Sequence, residues 1–131
     1  MGYEVFRRSG VRVKDPAFAF TPDGRISVNA AACRVLIEAG IKSVLLLWDQ
    51  ANRKIAARAA PKSDKNAFAV SFSGRHSGAI RASTFLKHIG WSASSRETLP
   101  ATWNQKDRMF EVTVPERHLR SAGTRSQKGL I

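Results

Sequence analysis

Two apolar rhythms alternate along the chain. Ile55, Ala57 and Ala59 recur at every second position, as do Phe110, Val112 and Val114, which predicts strands with one buried face. Val44, Leu46 and Trp48 follow the same period, but Leu45 and Leu47 between them are also apolar. This strand is therefore expected to be covered on both faces. Elsewhere the period lengthens. Ala32, Val35, Leu36 and Ala39 fall at i, i+3, i+4 and i+7, and so do Ala82, Phe85, Leu86 and Ile89. That spacing predicts two short helices, each with one apolar stripe. Gly40 and Gly90 follow the stripes and suit the left-handed residue that ends a helix. Asn29 is a fitting N-cap for the first helix, and Ser83 or a neighbour for the second.

The two rhythms recur in the same order because the chain repeats itself. AFAFTPDGR at 17–25 returns as AFAVSFSGR at 67–75. In that register Ala17, Phe18, Ala19, Gly24, Arg25, Ser27, Ala32, Leu36 and Gly40 meet Ala67, Phe68, Ala69, Gly74, Arg75, Ser77, Ala82, Leu86 and Gly90. The register then shifts past the extra SASSR of 92–96. Beyond it Trp48, Gln50 and Arg53 meet Trp103, Gln105 and Arg108, and Pro61 and Pro115 close the two stretches one position out of step. Such ordered matches read as an internal duplication, with copies at 17–61 and 67–115 joined by the polar KSDKN. Each copy is a β-β-α-β-β unit turning at Gly24-Arg25 or Gly74-Arg75, where glycine suits positive φ. Alone, each is too small to bury its faces. The expectation is a mainly β, α+β fold in which both copies pack as one pseudo-two-fold domain over 17–115. Residues 1–16 are then a basic segment or edge strand, and 116–131 a basic flexible tail.

Composition changes this picture mainly through charge. Of 131 residues 43% are apolar and 24% charged, an ordinary globular mixture. Twenty-two Lys and Arg face ten acids, a net charge of +12 spread nearly evenly along the chain. A surplus of that size concentrates polyanions, of which nucleic acid is the commonest inside cells. The apolar run Val44–Trp48 is too short to span a bilayer, no secretory leader is legible, and one cysteine fits a reducing compartment. A cytoplasmic location is expected.

Little here suits catalysis. His76, His88 and His118 share no metal-ligand spacing, the acids form no pair, and Cys33 falls on Ser83 of the other copy, as a small packed residue would. No enzyme activity, cofactor or metal is expected. Arginines that recur are the better candidates: Arg25 and Arg75 after the turn glycines, Arg53 and Arg108 in the later hairpin turns. Arg7, Arg8 and Arg12 add a basic N-terminal stretch. Trp48, Trp91 and Trp103 fit either core anchors or base-stacking platforms.

The order of an apolar strand, PDGRISVN, a helix ending in Gly, then strand, turn and strand is similar to the AbrB-type transition-state regulators. Two such units in one chain resemble the tandem arrangement of the MraZ family. The resemblance implies a swapped-hairpin barrel that binds DNA through basic residues at the Gly-Arg turns, here Arg25 and Arg75. The expected function is binding of duplex DNA, as a regulator or DNA-organising factor. Single-stranded DNA or RNA is the nearest alternative, and a protein-interaction module, an antitoxin or scaffold, is the third; a homo-oligomer and a protein partner both stay open.

Overall fold

In a computed structural model of the protein, describing residues 15–120, the first apolar stretch forms β1 (Ala17–Phe20) and turns back as β2 (Arg25–Val28). Then come α1 (Ala30–Glu38) and the hairpin of β3 (Ser43–Asp49) and β4 (Lys54–Ala59). The second stretch runs through β5 (Phe68–Ala69), β6 (Ser71–Phe72), β7 (Gly78–Arg81) and α2 (Ser83–Ile89). It ends with β8 (Glu97–Pro100), β9 (Thr102–Asn104) and β10 (Met109–Thr113), and a 3-10 turn follows at Glu116–His118. The expected mainly β chain with two short helices is what forms.

The strands build two antiparallel five-stranded sheets, ordered β6-β7-β2-β1-β8 and β5-β3-β4-β10-β9. Neither closes on itself, so the single closed barrel expected from the sequence is absent. The reason lies in 67–115, whose long strands break and pass from one sheet to the other. Val70 turns its N–H to the Lys42 carbonyl (2.9 Å) between β5 and β6. Pro100, with no N–H to give, ends β8, and the next residue Ala101 donates to the Pro16 carbonyl (3.0 Å).

Half of the strand pairings join the two stretches. β1 pairs with β8, β3 with β5, β2 with β7 and β4 with β10. A single core results, drawing on both sheets: Phe18 meets Phe110 edge-on at 5.3 Å, and Phe20, Ile26, Ile55 and Ile80 are buried beside them. Each such side chain contributes about 1.5–3 kcal/mol on burial. Small residues face large ones across the central ladder, as with Ala57 opposite Phe110.

Local chemistry explains the element ends. Asn29 caps α1 by accepting the Ala32 N–H (2.9 Å) at its side-chain Oδ1, which also takes the Ala17 N–H (3.1 Å), tying the helix start to β1. Both helices end at a glycine with positive φ, and Ile41 and Trp91 donate back to Leu36 and Leu86, each at 2.9 Å. The cap of α2 departs from expectation. Ala82, not Ser83, is the N-cap and has no side chain to offer, because its place is fixed by burial and by its N–H to the Gly24 carbonyl (2.8 Å).

Two further expectations are corrected. β3 is not covered on both faces: Val44 is buried, but Leu47 on the other face is 36% exposed, as befits an antiparallel sheet with one solvated side. Residues 116–120, expected in the flexible tail, are packed. His118 is buried, Ser92 donates to its carbonyl (2.7 Å), and Arg120 donates to Gly90 (2.8 Å).

Candidate nucleic-acid interface

The four turns that carry the recurring arginines form two unlike pairs. In the second sheet, the β3–β4 and β9–β10 turns are chemical counterparts. Asp49 accepts from the Asn52 backbone (3.2 Å) and amide (2.8 Å), while Asn104 accepts from the Asp107 backbone (3.0 Å) and donates to its carboxylate (3.1 Å). The pair is the same with Asp and Asn exchanged. Arg53 and Arg108 follow, both left-handed, at φ 53° and 52°. Each gives its carbonyl to the opposite stretch, Arg53 to the Val114 N–H (2.8 Å) and Arg108 to the Ala59 N–H (2.9 Å). Their guanidinium groups reach backbone carbonyls too, Arg53 at Val114 (3.3 Å) and Arg108 at Ala39 (3.1 Å). These two arginines thus spend donors on holding the fold.

In the first sheet the turns differ. Between β1 and β2, Thr21 donates its N–H to the Arg25 carbonyl (3.0 Å), and its hydroxyl oxygen takes the Arg25 N–H (3.1 Å). The Thr21 hydroxyl also bonds the Asp23 carboxylate, and chiefly for that reason Asp23 lies below the ordinary carboxylate range, with nearby Arg25 acting the same way. Gly24 sits at φ +97°, and a Cβ there would fall 2.4 Å from the Ser83 Cβ, so the turn is wedged against the start of α2. Between β6 and β7 the turn Ser73–Ser77 is closed by the Ser73 N–H to Ser77 carbonyl bond (2.9 Å). Its Gly74, at φ +75°, faces open space, and Arg75 and His76 are exposed. Ser77 lies against Cys33 of α1; burial pushes that thiol up, and the Ser77 backbone opposes the shift.

Arg25 and Arg75, aligned in sequence, therefore do not occupy equivalent places. Arg25 is the first residue of β2, whereas Arg75 lies within a turn, before β7 begins at Gly78. The ladder sets Arg25 directly opposite Arg81, which sequence reasoning missed. A slip in register hid it: identities align Arg75 with Arg25, but the strand break at Val70 carries the second turn and β7 downstream, Ser73 closing on Ser77 as Thr21 closes on Arg25. The second glycine of SGRHSG, Gly78, is the sequence signal that could have revealed the slip. Arg7, Arg8 and Arg12 lie outside the described residues.

The cationic surface is open. Arg25, Arg34, Arg58, Arg75, Arg81, Lys54 and Lys87 are all exposed, and among the described residues the one basic side chain within ion-pair distance of a carboxylate is His118, 3.4 Å from Glu97. The tryptophans are half-buried and used by the core. Trp91 stacks on Phe20 at 4.8 Å, Trp103 packs on Phe110 at 5.0 Å with its indole N–H on Gln105 (2.7 Å), and Trp48 packs against the core. Among the described residues no group of His, Cys, Asp or Glu could hold a metal, and no helix is long and apolar enough to cross a membrane. Compared with known proteins, the chain matches no family model, and no curated protein or solved structure matches it significantly.

Proposed function

We propose that the protein binds double-stranded DNA in the cytoplasm, chiefly through phosphate contacts, as a regulator or DNA-organising factor without catalytic activity. One observation carries this reading: the chain has a net charge of +12, and no arginine or lysine among the described residues makes an ion pair with a carboxylate. Unneutralised cations of that number release condensed counterions from a polyanion, which is the source of sequence-independent affinity. The alternative of stacking on single strands loses support from the tryptophans, whose rings are already packed on Phe20, Phe110 and the core.

The same reading takes the chain as two β-β-α-β-β copies exchanging strands, like tandem AbrB-type units. Its support is the matched chemistry of the Asp49–Arg53 and Asn104–Arg108 turns and the cross-pairing of β1 with β8 and β3 with β5.

The test is a titration of labelled duplex and single-stranded oligonucleotides of equal length at low salt, read by anisotropy and tryptophan fluorescence. Tighter binding of the duplex with little change in tryptophan emission is expected. Preference for the single strand with strong quenching would replace this reading by base stacking. No binding to either would leave an acidic protein partner.

A further inference from the structure

We infer that Arg25 and Arg81 form a two-armed site for a single phosphate group of the nucleic-acid backbone, a refinement that rests on the function proposed above. Both residues are exposed and stand directly opposite each other on adjacent strands β2 and β7. The pair is of the non-hydrogen-bonded kind. The N–H and carbonyl of Arg25 both turn toward Thr21 on the β1 side, while the next pair along is bonded, Ala82 N–H to Gly24 carbonyl. In that kind of pair the chains approach most closely, with Cβ atoms about 4.5–5.5 Å apart.

Like charges so placed repel, and a sheet gains nothing from them. Neither guanidinium forms an ion pair with a carboxylate among the described residues. Two planar forks with a common origin present up to ten N–H donors to one anion. The non-bridging oxygens of a phosphodiester accept from both arms, and the negative charge removes the repulsion. Lys87 lies beside the same turn, lining a small cleft with Thr21, Asp23, Gly24 and Ser83. Asp23 is the one acid there, and its carboxylate is engaged by Thr21. The platform is rigid because the turn is wedged on Ser83 and bonded to Ala82. Arg75, on the open second turn, has no opposed arginine.

Two arms of one experiment test this on the full chain. Inorganic phosphate is titrated into the wild-type protein, followed by NMR of the arginine Nε–H groups. Arg25 and Arg81 are expected to shift together with one dissociation constant, and Arg75 to stay still. In parallel, duplex affinity is measured for Arg25→Gln, Arg81→Gln, their double variant and Arg75→Gln, each single change removing the same charge. Loss of a charge-assisted contact predicts about a tenfold weakening for Arg25→Gln or Arg81→Gln, with the double variant weaker than either by much less than the product. Arg75→Gln is expected to weaken binding by no more than about twofold. Equal losses at Arg81 and Arg75 would overturn the site while leaving duplex binding intact. Phosphate shifts at Arg25 and Arg81 without duplex binding would make it a site for a small phosphate compound and end the nucleic-acid reading. No phosphate shift at either arginine would also overturn it.

Discussion

The β1–β2 and β6–β7 turns share Gly-Arg and are unlike in place, whereas the β3–β4 and β9–β10 turns exchange their closing Asp and Asn and still match in chemistry. Gly24-Arg25 and Gly74-Arg75 share two residues, yet one glycine is wedged on Ser83 and the other faces open space. Asp49…Asn52 and Asn104…Asp107 share no residue at either position, yet they close the same turn and send both following arginines left-handed. Recurrence of residues is thus a poorer guide to equivalence than recurrence of bonds. A turn is defined by where its donors and acceptors go, and an Asp–Asn pair satisfies the same geometry in either order.

The strongest way to break this comparison is at the glycines. Gly24→Ala forces a residue with a Cβ into positive φ and into the Ser83 side chain, and should cost about 3 kcal/mol or more. Gly74→Ala meets only the backbone penalty, about 1 kcal/mol. Denaturant unfolding of both variants should separate them clearly, and equal losses would mean the two turns are equivalent after all. A smaller and opposite result is expected in the second sheet. Asp49→Ala and Asn104→Ala each remove the side-chain bonds that close a turn, and each should cost about 1 kcal/mol, the same within error.

The smallest effect is that of pH. Asp23 and Asp49 are both held below the ordinary carboxylate value, Asp23 chiefly by the Thr21 hydroxyl and Asp49 chiefly by the Asn52 amide. A folded-state value lower than the unfolded one gives stability that is present above about pH 4 and lost as pH falls through the folded value. Melting temperature followed from pH 6 to pH 2 should therefore decline only below about pH 4, and less steeply in Asp49→Asn. A decline already under way near pH 6 would point to other groups.

Much of this was legible in the chain. The helical stripes, the Asn29 cap, the glycines that end both helices and the period-two set of β4 and β10 are local signals, and each is found where the sequence places it. What was hidden is non-local. Ala82 caps α2 because the Gly24 carbonyl holds its N–H, a bond across 58 positions that no propensity records. The strand breaks near Val70 and Ala101 serve carbonyls of Lys42 and Pro16. Arg81 becomes a candidate only when β7 is set in register with β2. His118 reads as tail until Trp91 is seen beside it, ring centroids 5.3 Å apart.

The central claim is that unneutralised cations on this surface hold a DNA backbone, and the salt dependence of duplex affinity tests it most directly. A plot of log affinity against log salt between about 50 and 200 mM should be linear with a slope of about −3 or steeper, as expected when several phosphates are neutralised. A slope near zero, or affinity that depends on single-stranded ends, would contradict it.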